Sequence, residues 1–362
     1  MTITYLIGNG FDLGLKLKTD YKSFINRYLE EPGVPPELDW IRQEMRNHPN
    51  KWSDAEIAFG KLKFAEHGED AVDVFNMCYD AFTEAFNNYL VTCNELFSIP
   101  ESDRQKTAET FIKRILSIHE YMSDQCRQYY LDSMRNQPID LNFITFNYTN
   151  TLEQLLDFNS NKQNKFDVKL SGDMSLKVTV KDVCHVHGTL DDAYVFGIDN
   201  PSQIDDSDVR RYCERNGGML KARADEKLGL LNRKRGVDII NQSDRIVTYG
   251  LSFGISDTSW WQVLFNAIFP NRKQLVVCPF RTDLPERPSA KKRGDVYREE
   301  KRKVFNSLIV ANQKLALTIE ELNPPTIMSL RPSKVLDGLG KVHPCDYFCL
   351  SEIADKYTNK KV

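Results

Sequence analysis

The chain has 362 residues, 41% of them apolar and 11% aromatic, enough to bury a substantial core and, by length, to make about two domains. A formal net charge of −3 gives no global attraction to nucleic acid or to an anionic membrane, so neither is an expected partner. The eight cysteines form no CxxC pair or dense framework, and the start MTITYLIG carries no basic leader, which predicts a cytoplasmic protein with reduced thiols. No apolar run reaches the roughly 20 residues that a membrane span needs.

The first predicted strand, Ile3 to Ile7, runs straight into the glycine-rich turn Gly8-Asn9-Gly10. A buried strand followed by such a turn and a helix, here beginning near Asp12, brings free backbone N–H groups to where a pyrophosphate can sit. The pattern is GxGxxxG through Gly14, not GxGxxG, so it also describes a simple bend. Asp12 is either a helix cap or, since a carboxylate repels phosphate, a partner for a ribose hydroxyl. A helix is predicted at Tyr21 to Leu29. Beyond it, Phe75, Cys78, Tyr79, Phe82, Phe86, Tyr89, Leu90, Cys93 and Phe97 recur at spacings of three and four. Phe111, Ile115, Ile118, Met122, Cys126 and Tyr129 do the same, which predicts two long helices packed on each other and joined by the turn SIPESD.

A second strand, Leu141 to Phe146, leads through Thr145, Asn147, Tyr148 and Thr149 into a helix from Asn150 to Asp157. Thr149 or Asn150 with Glu153 resembles a capping box, which leaves Asn147 unexplained. Phe166 to Val180 alternates around Ser171-Gly172-Asp173 as a hairpin would. In the strand Val183 to His187, alternation places His185 and His187 on one face and Cys184 on the other. No carboxylate or third histidine stands near this HxH, so no metal is expected, while Gly188 would let a ligand approach the backbone beside His187. Tyr194 to Ile198 reads as a further strand, and the charged stretch Asp206 to Lys234 as an exposed helical region. Arg245 to Tyr249 is a buried strand leading to Gly250-Leu251-Ser252, Gly254 and the helix caps Ser256 and Asp257, ahead of a helix from Trp260 to Phe269. Gln274 to Cys278 is the last strand. A basic cluster follows, in Arg281 to Arg293, Arg298 and Lys301-Arg302-Lys303, and reads as a solvated face.

Strand-then-helix alternation predicts an α/β protein whose mostly parallel sheet is covered on both faces. Its core would be residues 1–35 and 138–315, with a helical module of residues 36–137 inserted and an extension of unassigned role at residues 316–362.

In order along the chain, LIGNGFDL with Thr19 and Tyr21, Trp52 followed by Glu56, FNYTNTLE, HVHGTL, VFGID and YGLSFGISDTSWW resemble the AbiH family of bacterial proteins linked to abortive infection by phage. That family looks like a divergent branch of the sirtuin-like NAD-binding fold. The resemblance runs from about Tyr5 to Phe265 and implies a three-layer, Rossmann-like architecture. It implies NAD as ligand or substrate, bound by Gly8, Asn9, Gly10, Phe11, Asp12 and Thr19 from the first turn. Thr145, Tyr148, Gly188, Gly250, Ser252 and Asp257 would complete the binding surface, with Asn147 and His187 catalytic and no metal. The implied activity is hydrolysis of NAD to nicotinamide and ADP-ribose, set off by a phage-derived trigger, in a protein for which the family suggests a homo-oligomer. Three departures stand out. Thr149 replaces the aspartate of the sirtuin-like N-Y-D triplet, Lys16 and Lys18 replace the glycine and proline of a GLPT, and the CxxC pairs of a sirtuin zinc ribbon are missing, which argues against protein deacetylation.

The alternative from another class is a non-catalytic nucleotide- or phage-sensing module using the same crevice. A dehydrogenase would need an acidic residue about 20 residues past the turn at a strand end. Glu30 and Glu31 lie instead at a helix end beside Pro32-Gly33. No GxxxxGK[ST] occurs, which leaves a P-loop NTPase without support.

Overall fold

The structure is a computed structural model that describes residues 1–32, 38–121, 124–158, 164–170, 174–227, 231–268, 273–278 and 280, with positions 299, 302–304, 306–308 and 311 near the C-terminus. Six strands, β1 (Thr2–Ile7), β2 (Ile139–Thr145), β3 (Lys165–Lys169), β4 (Ser175–His185), β5 (Arg245–Tyr249) and β6 (Gln274–Cys278), form one sheet among the described residues, in the order β3-β4-β2-β1-β5-β6. All neighbours are parallel except β3, which pairs antiparallel with β4 at the edge. The fold is mixed α/β, and its central strands β2, β1 and β5 are buried along nearly their whole length because both of their faces are covered.

The helices in chain order are α1 (Gly10–Gly14), α2 (Tyr21–Glu30), α3 (Asp39–Asn47), α4 (Ala55–Gly60), α5 (Ala71–Glu95) and α6 (Glu101–Leu116). They continue with α7 (Asp124–Met134), α8 (Thr151–Leu156), α9 (Ser207–Asn216), α10 (Lys221–Lys227), α11 (Asn232–Gln242) and α12 (Thr258–Ile268). Alternation along the strands divides the sheet's side chains. Ile3, Tyr5 and Ile7 pack with Phe111, Ile112 and Ile115 of α6 and with Leu152 and Leu155 of α8. Leu6, Ile144, Ile246 and Leu275 pack with Ile239 and Ile240 of α11 and with Trp260 and Leu264 of α12. A third core, rich in aromatics, is built from α2, α3, α4 and α5 and takes in Tyr148, Phe196 and Met219.

Several expectations are corrected. The two striped helices do not share a core: the stripe of α5 fills the aromatic core, whereas that of α6 lies on the sheet. The second stripe is also broken, since α6 ends at Leu116 and a 3-10 turn, Ser117–Tyr121, precedes α7. Periodicity shows which residues share a face but not what that face meets. Tyr194 to Ile198 is no sheet strand; it makes only isolated bridges, Gly188 to Tyr194 and Ile198 to Leu220. Val183 to His187 is the tail of β4, which ends at His185 after a run in which Leu176, Val178 and Val180 alternate with more exposed residues. The hairpin of β3 and β4 is present, with Phe166 opposite Val178, and its turn 171–173 lies outside the described residues. The stretch from Asp206 to Lys234 is not simply exposed, because Val209, Cys213, Met219, Leu220 and Lys221 are buried. The basic cluster lies outside the described residues except for Arg302 and Lys303, which are exposed, and so does the extension 316–362. Among the described residues no helix is long and apolar enough to cross a membrane. Cys78, Cys93, Cys184, Cys213 and Cys278 are buried free thiols.

Candidate functional site

A cavity of about 690 Å³ opens at the carboxyl ends of the parallel strands. From β1 the chain adds β2 and then β4 on one side, and later β5 and β6 on the other, so the strand order reverses beside β1. Loops diverge at such a point and leave a crevice. Its walls carry Gly8, Asn9, Gly10 and Asp12 after β1, Asn147 and Tyr148 after β2, His187 after β4, and Gly250, Ser252 and Asp257 after β5. Thr19 also lines it, donating a hydrogen bond to Asn9 Oδ1 at 2.6 Å.

Three of the predicted residues are placed otherwise. Phe11 is buried in the sheet core with its ring edge-on to Phe111 and Tyr249. Thr145 is buried and accepts a hydrogen bond from the Asn147 amide at 3.0 Å. Gly188 has φ +81°, and a Cβ there would meet Ala193 O at 1.9 Å, so its glycine serves the close approach of the chain at Tyr194.

The glycine turn does not offer free amides at Gly8, Gly10 and Phe11. Gly8 N donates to Tyr249 O, Gly10 N to Gly250 O and Phe11 N to Gly8 O. The helix starts at Gly10 rather than near Asp12 and has only five residues, too few to build much dipole. The glycines instead let two loops touch: a Cβ on Gly10 would meet Gly250 Cα at 2.6 Å. Asp12 is no cap. Its buried carboxylate accepts from the hydroxyls of Thr149 and Thr151, each at 2.7 Å. Burial pushes this carboxyl up to about 6 despite hydrogen bonding from Thr151, Thr149 and Asn147. The capping box is likewise absent, since Asn150 makes no side-chain cap and Glu153 turns to His185.

Asn147 is 7% exposed, and its Nδ2 acts on the Asp12 carboxyl but makes no hydrogen bond of full geometry among the described residues. His187 is 4% exposed and sits edge-on to Phe146. Its Nε2 lies 2.9 Å from Asp257 Oδ1 without hydrogen-bond geometry, and Nδ1 has no partner among the described residues.

Behind this pair is a buried charge network that the sequence did not reveal. Lys221, at the start of α10, donates to Glu56 Oε2 at 3.0 Å, to Asp257 Oδ1 at 2.7 Å and to Ser256 O at 3.3 Å, so all three ammonium protons are used. Burial opposes its charge, but Asp257 and Glu56 hold it protonated well above the usual lysine range. Burial likewise works against ionised Asp257, yet Lys221 and His187 more than offset it and hold the carboxyl below the usual range. Glu56 moves the other way: burial raises it, Lys221 opposes, and Asp257 and Asp54 add to the rise. Glu56 Oε1 also accepts from Gly197 N at 3.4 Å. Tyr148 OH donates to Val195 O at 3.1 Å, with Glu56 Oε1 at 3.4 Å. Glu56 stood in a motif without an assigned role, and Lys221 had no local signal because Glu56 is 165 residues away. Among the described residues no group of three potential ligands is arranged to hold a metal ion.

Fold and cavity together define a mixed α/β protein with a polar, carboxylate-rich crevice at the point where the strand order of a mostly parallel sheet reverses. The family model described as bacteriophage abortive infection AbiH matches residues 4–278, and the chain belongs to that family. Membership gives it a role in defence against phage by abortive infection. No curated protein matches the chain.

Proposed function

We propose that the cavity binds a nicotinamide dinucleotide and hydrolyses its N-glycosidic bond to give nicotinamide and ADP-ribose. The observation that carries this reading is that Asn147 and His187, from the ends of two different strands, line one cavity, with Asp257 against the imidazole. The crevice at the strand-order reversal supports a Rossmann-like, sirtuin-like site. Its volume lies within the range of about 300–1,000 Å³ usual for small-molecule sites. Carboxylates of Asp20, Asp54, Glu56 and Asp257 in the lining suit the cationic pyridinium of the oxidised nucleotide.

When the bond breaks, its electron pair passes to the pyridinium ring, which leaves as neutral nicotinamide and needs no general acid. Water adds to the oxocarbenium carbon of the ribose, and the proton it loses goes to His187. With Nε2 against ionised Asp257, Nδ1 is the accepting nitrogen and the carboxylate stabilises the imidazolium that forms. The Asn147 amide orients the water or the ribose. The amides of Gly8, Gly10 and Phe11 are already engaged and Lys221 is saturated, so the diphosphate falls to Lys303, which lines the cavity and has no partner among the described residues.

Purified protein given NAD, with and without phage-derived material, is expected to release nicotinamide. Asn147→Ala and His187→Ala should each lower turnover by about a hundred- to ten-thousand-fold, with an unchanged circular dichroism spectrum. Wild-type rates in both variants would refute the assignment. One feature favours a non-catalytic sensor: Thr149 spends its hydroxyl on Asp12 and supplies no carboxylate. NAD binding without product under either condition would select that reading.

A further inference from the structure

His185 belongs to neither the cavity wall nor the proposed chemistry, yet it is 7% exposed and makes two polar contacts. Its Nδ1 is 2.9 Å from the backbone carbonyl oxygen of Asn147, and its Nε2 is 2.5 Å from Glu153 Oε1 on α8. A carbonyl oxygen can only accept, and so can an ionised carboxylate. A neutral imidazole carries one N–H and could serve one of the two; only the imidazolium donates to both. The backbone of Asn147 is thereby held on both sides of its Cα by a side chain, its N–H by Thr145 Oγ1 at 3.0 Å and its carbonyl by His185.

We infer that His185 is a positioning residue, a buried cation clamped between Glu153 and the Asn147 carbonyl that fixes the peptide from which the Asn147 amide enters the cavity. Its functional consequence rests on the role proposed above for Asn147; its charge state does not. The charged groups acting on it are Glu153 from α8 and Asp12 from α1, while β2 brings the uncharged Thr145 alongside in register. Burial works against the charge, and Glu153, the Asn147 carbonyl and Asp12 outweigh it, so the histidine titrates above its usual range. The sign follows: the clamp is intact below the raised folded pKa and is lost as pH rises through it. Removing the Glu153 charge moves that loss to lower pH.

The test uses the full chain labelled with ¹⁵N-histidine, in which His185→Gln assigns one of the six imidazoles. His185 is expected to show two protonated ring nitrogens at about pH 7.5, above the ordinary histidine pKa of about 6.5. A single ring N–H there overturns the inference. Glu153→Gln keeps the shape but not the charge; with burial no longer offset by Glu153, its His185 should lose the proton at lower pH than in the wild type, so the imidazolium fraction of the variant falls below that of the wild type as pH rises from about 6 to about 8. NAD turnover in Glu153→Gln, divided by the wild-type rate at each pH, should fall with it. A ratio that stays flat over this window overturns the positioning role even if both variants fold. If the wild type neither binds nor cleaves NAD, the proposed function fails while the nitrogen spectra still decide the charge of His185.

Discussion

Replacing Lys221 by methionine keeps most of the buried stem and removes only the ammonium. At 3.0 and 2.7 Å, its contacts with Glu56 and Asp257 are each worth about 6 kcal/mol at an effective dielectric of ~20. The variant no longer bears the desolvation of the lysine, which returns several kcal/mol, but it leaves two carboxylates facing each other in a buried site. The expected net loss of stability is about 3–5 kcal/mol near pH 8. Without the cation both carboxyls should titrate above their unfolded values, so the folded variant binds more protons than the unfolded chain and gains stability as pH falls. In the wild type Asp257 is depressed, so its contribution persists at neutral pH and is lost only in strong acid. Urea denaturation of both proteins at about pH 8 and about pH 5 reads the gap directly. A difference below about 1 kcal/mol at the higher pH, or one that does not narrow on acidification, would refute the reasoning.

Gly10→Ala places a Cβ 2.6 Å from Gly250 Cα and 2.5 Å from Phe280 Cβ, and should cost about 1–3 kcal/mol in chemical denaturation as the two loops are forced apart. Asp12 titrates at about 6 when folded against 3.8 ordinarily, so wild-type stability should gain about 3 kcal/mol from this group as pH falls from above 6 toward 4; Asp12→Asn should remove that increment from the stability-versus-pH curve. Lys303→Ala should weaken NAD binding roughly five- to tenfold in calorimetry, less so at high salt, and should leave the phosphate-free nicotinamide nucleoside unaffected; equal weakening of both ligands would place the phosphates elsewhere.

Much of the frame was written in local pattern. The strands β1, β2, β5 and β6 followed from short apolar runs ended by turn residues, because burial on both faces leaves that mark on the residues themselves. Polar groups at three strand ends, Asn147, His187 and Ser252, pointed to one crevice because parallel strands bring their carboxyl ends together. What the neighbours would be was a tertiary matter. The stripe of α6 could have met α5 or the sheet with equal periodicity, and in the fold it meets the sheet. The capping pattern at Glu153 gave way to His185, which is 32 residues distant in sequence, and the amides of Gly8 and Gly10 were taken by carbonyls at the end of β5 and just after it. Lys221 shows the limit most plainly: in the chain it is one lysine in a charged stretch, and only the fold surrounds it with Glu56 and Asp257. Local pattern records what each residue needs within a few positions of itself, whereas ion pairs in a low-dielectric interior depend on partners that folding alone brings within reach.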